Sequence, residues 1–183
     1  MVETSSDGIV LQGGGARAVV EVPFPPMRLL PQAPYGGLLE HAARPRTIGV
    51  LLVRKGGYAA GVFHDAELVA SKVGSRLVQG RSANGGWSQQ RFARRRENQA
   101  REAYAAAADN AARVLLPHLT RLDAVVTGGD RPALAAVLED TRLAPVAALV
   151  VDRVLDVPDP RLAVLQETPK RFRAATIRVS SCD

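Results

Sequence analysis

Apolar positions change their period several times along this chain, and each change marks an element. Gly8-Ile9-Val10-Leu11-Gln12 and Arg17-Ala18-Val19-Val20-Glu21-Val22 are rich in β-branched residues. Gly13-Gly14-Gly15 separates them and tolerates the positive φ of a tight turn, which predicts a β-hairpin over 8–22. Residues 23–45 hold six of the twelve prolines and read as a connector with at most a short helix around 37–43. A continuous apolar run at 48–53 fits a strand covered on both faces. Turns at 54–57 and 64–67 separate it from two further runs, 58–63 and 68–73, giving an antiparallel meander.

The period is then lost. Residues 74–90 are rich in Gly, Ser, Asn and Gln, and a loop this long inside a compact domain is either functional or disordered. From Arg91 to about Leu116 a helix is predicted, with Phe92, Tyr104, Ala108, Ala111 and Leu115 as its apolar stripe and Pro117 as its stop. A strand follows at 122–127. Gly128-Gly129-Asp130 leads into another helix, with Asp130 as N-cap and Pro132 in the first turn. Strands are expected at 146–151 and 173–179. The order β-β-β-α-β-α-β predicts an α/β fold, a mixed sheet with packed helices of the ribonuclease-H-like kind. The expected division is 1–46 as hairpin and connector, and 47–183 as the main domain.

Composition narrows the partners. With 183 residues the chain fits one ordinary domain and a small appendage. Apolar residues make up 46% but aromatics only 4%, so the core is built from small and branched aliphatic side chains. Lys plus Arg number 24 against 18 Asp plus Glu, an excess that favours polyanions without naming one. Cys182 is the single cysteine, which excludes an internal disulfide and a cysteine-rich zinc site. No apolar run has the length of a membrane span, and residues 1–7 lack the features of a secretion signal. The expectation is a cytoplasmic protein with no membrane partner.

The positive charge is concentrated. Between positions 81 and 101 lie Arg81, Arg91, Arg94, Arg95, Arg96 and Arg101 against one acid, Glu97. Most charge runs are solvated helix faces. These arginines, however, crowd a helix N-terminus, where cations oppose the macrodipole, so an anion is expected to offset the cost. With Asn84, Gln89, Gln90, Asn98 and Gln99 nearby, the segment has the composition of a phosphate- and RNA-facing surface. Just before it, Gly85 and Gly86 allow a backbone closed to other residues and a close approach to another molecule. A glutamine has no useful acid–base pKa. Its amide and backbone N–H can orient a water and donate to a developing oxyanion. A Gly/Ser/Asn linker has the same composition, and the residues alone leave both readings open.

Gly85-Gly86-Trp87-Ser88-Gln89-Gln90-Arg91-Phe92-Ala93-Arg94 resembles the Gly-Gly-Gln loop and following helix of the middle domain of archaeal and eukaryotic class I release factors. The likeness runs from Ile48 through the strands and long helix to Val125-Val126-Thr127-Gly128-Gly129-Asp130. Within that group the chain resembles the actinobacterial branch of the VLRF family of release-factor-like peptidyl-tRNA hydrolases. One departure is specific. Aligned on Gly85-Gly86, the release-factor glutamine falls on Trp87, and the spacing of the stalled-ribosome hydrolases puts it on Ser88. Gln89 and Gln90 come one or two residues late.

Other sites are weaker. His41, His64 and His118 are scattered, with no acid or cysteine at metal-ligand spacing, so no metal is expected. The 48–53 strand lacks the carboxylates of a metal-dependent nuclease. Ser88 has no nearby His or acid and does not sit on a sharp nucleophile elbow. Gly128-Gly129-Asp130 reads as a strand-to-helix turn rather than a phosphate cradle. Trp87 either stacks on a base or ribose or anchors the loop. The resemblance implies a peptidyl-tRNA hydrolase without cofactor, acting at the peptidyl transferase centre of the large ribosomal subunit in ribosome rescue or quality control. Gln89 or Gln90 would position the water, Gly85 and Gly86 would shape the tip, and the arginines would grip RNA. The alternative is a ribosome- or tRNA-binding factor without catalysis.

Overall fold

The computed structural model describes residues 1–54, 56–75 and 88–181, and of residues 88–96 only the backbone. Two compact units emerge: residues 1–45 with the C-terminal stretch from Pro169, and residues 46–168.

The first unit opens with three antiparallel strands, β1 (Val2–Ser5), β2 (Gly8–Gly13) and β3 (Ala16–Glu21). Gly14 and Gly15 close the β2–β3 hairpin with φ of 59° and 73°, the left-handed pair that a two-residue hairpin turn requires. The hydrophobic pattern does not announce β1, because all four of its residues are exposed; it is held by its ladder to β2 and by Thr4 packed against Gly36. A short helix, α1 (Leu38–Ala43), lies in the proline-rich connector as expected. Ile9, Val20, Val22 and Met27 form this unit's small core.

The second unit carries β4 (Thr47–Arg54), β5 (Gly57–His64) and β6 (Glu67–Ser75), then α2 (Ser88–Leu115). It continues through β7 (Ala124–Gly129), α3 (Arg131–Leu138), α4 (Ala144–Ala147), β8 (Val150–Leu155) and α5 (Leu162–Gln166). The sheet order is β6-β5-β4-β7-β8. β4 pairs antiparallel with β5 and parallel with β7, and β7 runs parallel to β8. This is the mixed, ribonuclease-H-like arrangement that the element order predicts. Ile48 and Val50 to Val53 are all at most 2% exposed, which explains the unbroken apolar run. Leu51, Val53, Ala60 and Val62 share a core with Ala107, Ala108, Ala111 and Leu115 of α2 and with Leu134 and Val137 of α3. Gly61 points the other way, where a Cβ would come within 3.0 Å of Leu165 on α5.

Several boundaries differ from the sequence reading. β6 continues through Ser75, so Gly74 lies in a strand and pairs with Tyr58. A Cβ at Gly74 would overlap the Tyr58 ring, so the aromatic fills the space that a glycine leaves in a sheet. α2 begins three residues earlier than expected. Val146 lies in α4 and the strand starts only at Val150. Leu143 and Val146 are buried at a helical spacing of three, and a short apolar run cannot by itself choose between the two periods. Asp130 occupies the N-cap position of α3 but makes no side-chain cap bond; its carboxylate faces Arg54 Nε at 3.5 Å.

The last elements are α6 (Thr168–Phe172) and β9 (Thr176–Ser181). β9 was expected within the main sheet. It pairs instead with β3, antiparallel, completing the order β1-β2-β3-β9. The boundary near 46 is therefore matched by a second one near 168, and the stretch from Pro169 does not share the unit of residues 46–168. A strand's own residues do not specify its partner, because register and pairing come from distant chain.

Candidate nucleic-acid interface

The helix α2 organises the candidate site. Its 28 residues span about 42 Å at 1.5 Å per residue. Ala103, Ala107, Ala108, Ala111, Val114 and Leu115 are buried, at the spacing of three and four that keeps one face against a sheet. Asn110 is buried too. Its Nδ2 donates to the Lys72 carbonyl on β6 at 3.1 Å, while its Oδ1 is buried with no hydrogen-bond partner among the described residues. From Glu97 to Glu102 no residue is buried, and Arg101 is exposed.

Of the sequence-predicted site residues, Arg81, Gly85, Gly86 and Trp87 lie outside the described residues. Gln89, Gln90, Arg91, Arg94, Arg95 and Arg96 have a helical backbone, and their side chains lie outside the description. The sequence reading put Gln89 and Gln90 on the loop. The structure makes them the second and third residues of α2. Backbone N–H groups of a first helical turn have no intrahelical acceptor and sit at the positive end of the macrodipole.

The chain leaves β6 at a defined place. Arg54 pairs with Gly57 and Gly57 with Ser75, so β6 ends where β4 ends. That is the carboxyl end of the parallel strands β4, β7 and β8, the side on which open α/β sheets bind ligands. There Arg54 donates from NH1 to the Val157 carbonyl at 2.8 Å and faces Asp130. Gly129 takes φ of 105°, and a Cβ there would overlap the Val53 carbonyl. The Tyr58–Gly74 pair at this edge was not singled out in the sequence. Its only signal is a glycine inside an alternating strand.

A groove of about 620 Å³ runs between α2 and α3, with Ala100, Arg101, Tyr104, Glu97, Glu139 and Asp140 among its lining. Asp140 accepts from Arg142 Nε at 2.9 Å and NH2 at 2.6 Å, and Arg142 NH2 also reaches Asp109 at 2.8 Å. The Arg142 side chain, then its backbone N–H, pushes the Asp140 carboxyl down to about 2. The two carboxylates in turn raise the Arg142 guanidinium. This flank is of mixed charge with excess acid in its lining and does not suit a polyanion. The basic run is confined to the first half of the helix.

The histidines are held separately: His41 Nε2 lies 2.8 Å from the Pro23 carbonyl, His64 Nδ1 3.3 Å from Thr47 Oγ1, and His118 Nδ1 2.9 Å from Arg121. Among the described residues no cluster of His, Cys, Asp or Glu is arranged to hold a metal. No helix among them is long and apolar enough to cross a membrane.

None of the curated proteins compared with the chain matches it. Among solved structures it is similar to the archaeal translation termination factor aRF1, at 19% identity and a TM-score of 0.55, over 69% of this chain and 34% of that one. It also matches Saccharomyces cerevisiae Dom34, a translation termination-like factor, at 9% identity and TM-score 0.42, over 85% of this chain and 49% of that one. Archaeoglobus fulgidus Pelota matches at 13% identity and TM-score 0.34, over 93% and 49%. The chain thus spans between a third and a half of the length of these structures. The likeness to aRF1 supports the fold assignment. Residues 46–178 match the model of the Actinobacteria/chloroflexi VLRF1 release factor family, well over half of the chain, and they include the whole five-stranded sheet and α2. The chain belongs to the Actinobacteria/chloroflexi VLRF1 release factor family.

Proposed function

We propose that the protein is a peptidyl-tRNA hydrolase of the cytosol, releasing nascent chains at the peptidyl transferase centre of the large ribosomal subunit during rescue or quality control. The observation that carries this reading is the junction at Ser88. A 28-residue helix starts directly after Gly85-Gly86-Trp87, and Gln89 and Gln90 fall in its first turn. Water adds to the ester carbonyl, the developing oxyanion needs preorganised donors, and collapse returns a free peptide carboxylate and the tRNA 3′-hydroxyl. Gln89 or Gln90 orients the water, and helix-terminal N–H groups add positive potential where negative charge develops. Gly85 and Gly86 let the backbone approach closely. Arg81, Arg91, Arg94, Arg95, Arg96 and Arg101 neutralise phosphates, and Trp87 stacks on a base or ribose. No step requires a metal or cofactor.

A second reading is a ribosome- or tRNA-binding factor without catalysis, favoured by Trp87 standing where release factors carry their glutamine. Incubating the protein with ribosomes bearing a labelled peptidyl-tRNA separates the two. The hydrolase reading expects labelled peptide and deacylated tRNA to appear together. Binding to the same ribosomes with no peptide released leaves the binding factor.

A further inference from the structure

Among the described residues the two sheets have four edge strands, and three of them carry features that discourage pairing with another chain. β6 bears Glu67 and Lys72, and its ladder with β5 is broken by a register shift at Val62/Phe63. β8 bears Asp152 and Arg153 and has an irregular ladder with β7. β1 is four residues long and carries Glu3. Short, charged or bulged edges of this kind resist edge-to-edge association.

β9 is longer than β1, its ladder is regular, and its single charge is already paired. Its six residues, Thr176-Ile177-Arg178-Val179-Ser180-Ser181, are all exposed and pair with β3 in an unbroken register. Among the described residues nothing pairs with its other side. Its one charge, Arg178, is met by Glu21 on β3, with NH1 donating to Oε2 at 3.2 Å. Ile177 and Val179 are 62% and 71% exposed. By register they continue an apolar face: Val179 lies opposite Ala18, Ala18 opposite Leu11, and Leu11 opposite Val2.

The sequence of β9 also reads alike in both directions about Arg178, with apolar Ile177 and Val179 on either side and hydroxyl-bearing Thr176 and Ser180 beyond. We propose that β9 pairs antiparallel with β9 of a second copy of this chain, about a two-fold axis through Arg178. Ile177 then faces Val179 of the other copy and Thr176 faces Ser180, both favourable cross-strand pairs. The two arginines meet on the axis, each with its charge balanced by its own Glu21. The contact is isologous and closed, so it yields a dimer and not a filament. It is independent of the hydrolase reading, which concerns the other unit.

Sedimentation equilibrium of the full chain at micromolar concentrations should give twice the monomer mass, and Val179→Lys, at an exposed position, should return it to the monomer with an unchanged circular dichroism spectrum. Register is tested in a Cys182→Ser background. Arg178→Cys opposes itself across the axis at about 4.5–5.5 Å between Cα atoms, within disulfide reach. Ser180→Cys does not meet its own copy. Oxidation should therefore cross-link the first and leave the second as single chains. A monomeric parent at every concentration overturns the proposal and leaves the edge to a strand of another protein. A dimer that survives Val179→Lys, that fails to cross-link at 178, or that cross-links at 180 overturns the pairing.

Discussion

Residues 103–115 and residues 97–102 belong to one continuous helix, yet the first stretch supplies six apolar core side chains and the second supplies no buried residue at all. The difference follows residue choice. Alanine has the highest helix propensity and lets the backbone lie close to β5 and β6. Arginine is nearly as good a helix former and brings charge, and five of the chain's arginines lie between Ser88 and Arg101. Helicity is thus kept along the whole length while the residue choice changes from small apolar volume at 103–115 to polar residues of mixed charge at 97–102, with four of those five arginines at 91–96. Stability and recognition should therefore be separable by mutation along a single element.

The largest effect belongs to the buried half. Leu115 is 0% exposed, and Leu115→Ala should cost about 2–5 kcal/mol in urea denaturation through lost transfer energy and a cavity. Binding to ribosomes by the fraction still folded should not change, and a change there would blur the division. Next comes Gln89→Ala or Gln90→Ala. One of these should slow peptide release by about a hundred- to a thousand-fold, the usual cost of one oxyanion donor, with the denaturation midpoint in place. Equal release by both variants and the parent would falsify the hydrolase mechanism. Replacing Arg94 and Arg95 together by Ala should flatten the dependence of log affinity on log salt by about two units if each meets one phosphate. An unchanged slope would take the RNA role from this face.

The smallest effect lies on the mixed-charge flank. The Asp140 carboxyl is held at about 2, against an ordinary 3.8. A depressed folded-state value means that its contribution is complete above the ordinary value and fades as the pH falls towards 2. Asp140→Asn should lack that share of the acid dependence in denaturation series below about pH 4. The carboxyl is partly exposed and its partner Arg142 half exposed, so the difference is small and shrinks with salt.

Much of the larger unit was legible because its signals are local. The apolar run at Ile48 to Val53, the glycines of the turns, and the alanine stripe ending at Pro117 each state a period or a stop. What the sequence did not yield depends on distant chain. β9 looks like any short strand, and only its ladder to β3 assigns it to the other sheet. The short apolar run at Val146 fits both the strand and the helix period, and only its packing in α4 decides. The start of α2 is not marked in the sequence because Ser88, Gln89 and Gln90 are polar and show no stripe. What Gly85-Gly86, the glutamines and the arginines made legible, with the element order around them, is the family; their roles belong to the proposed function.

Asn110 carries a further consequence for that site. Alanine ridges are shallow, so the face that α2 lays on the sheet offers little resistance to small rotations or slides. The directional bond from Asn110 Nδ2 to the Lys72 carbonyl indexes the helix against β6. Ser88 lies 22 residues upstream, a lever arm of about 33 Å along a straight helix. A tilt of about 2° at Asn110 therefore moves the first turn by about 1 Å, a misplacement large enough to cost a reaction that depends on alignment about a hundredfold. A buried amide far from the glutamines thus sets the aim of the helix that carries them.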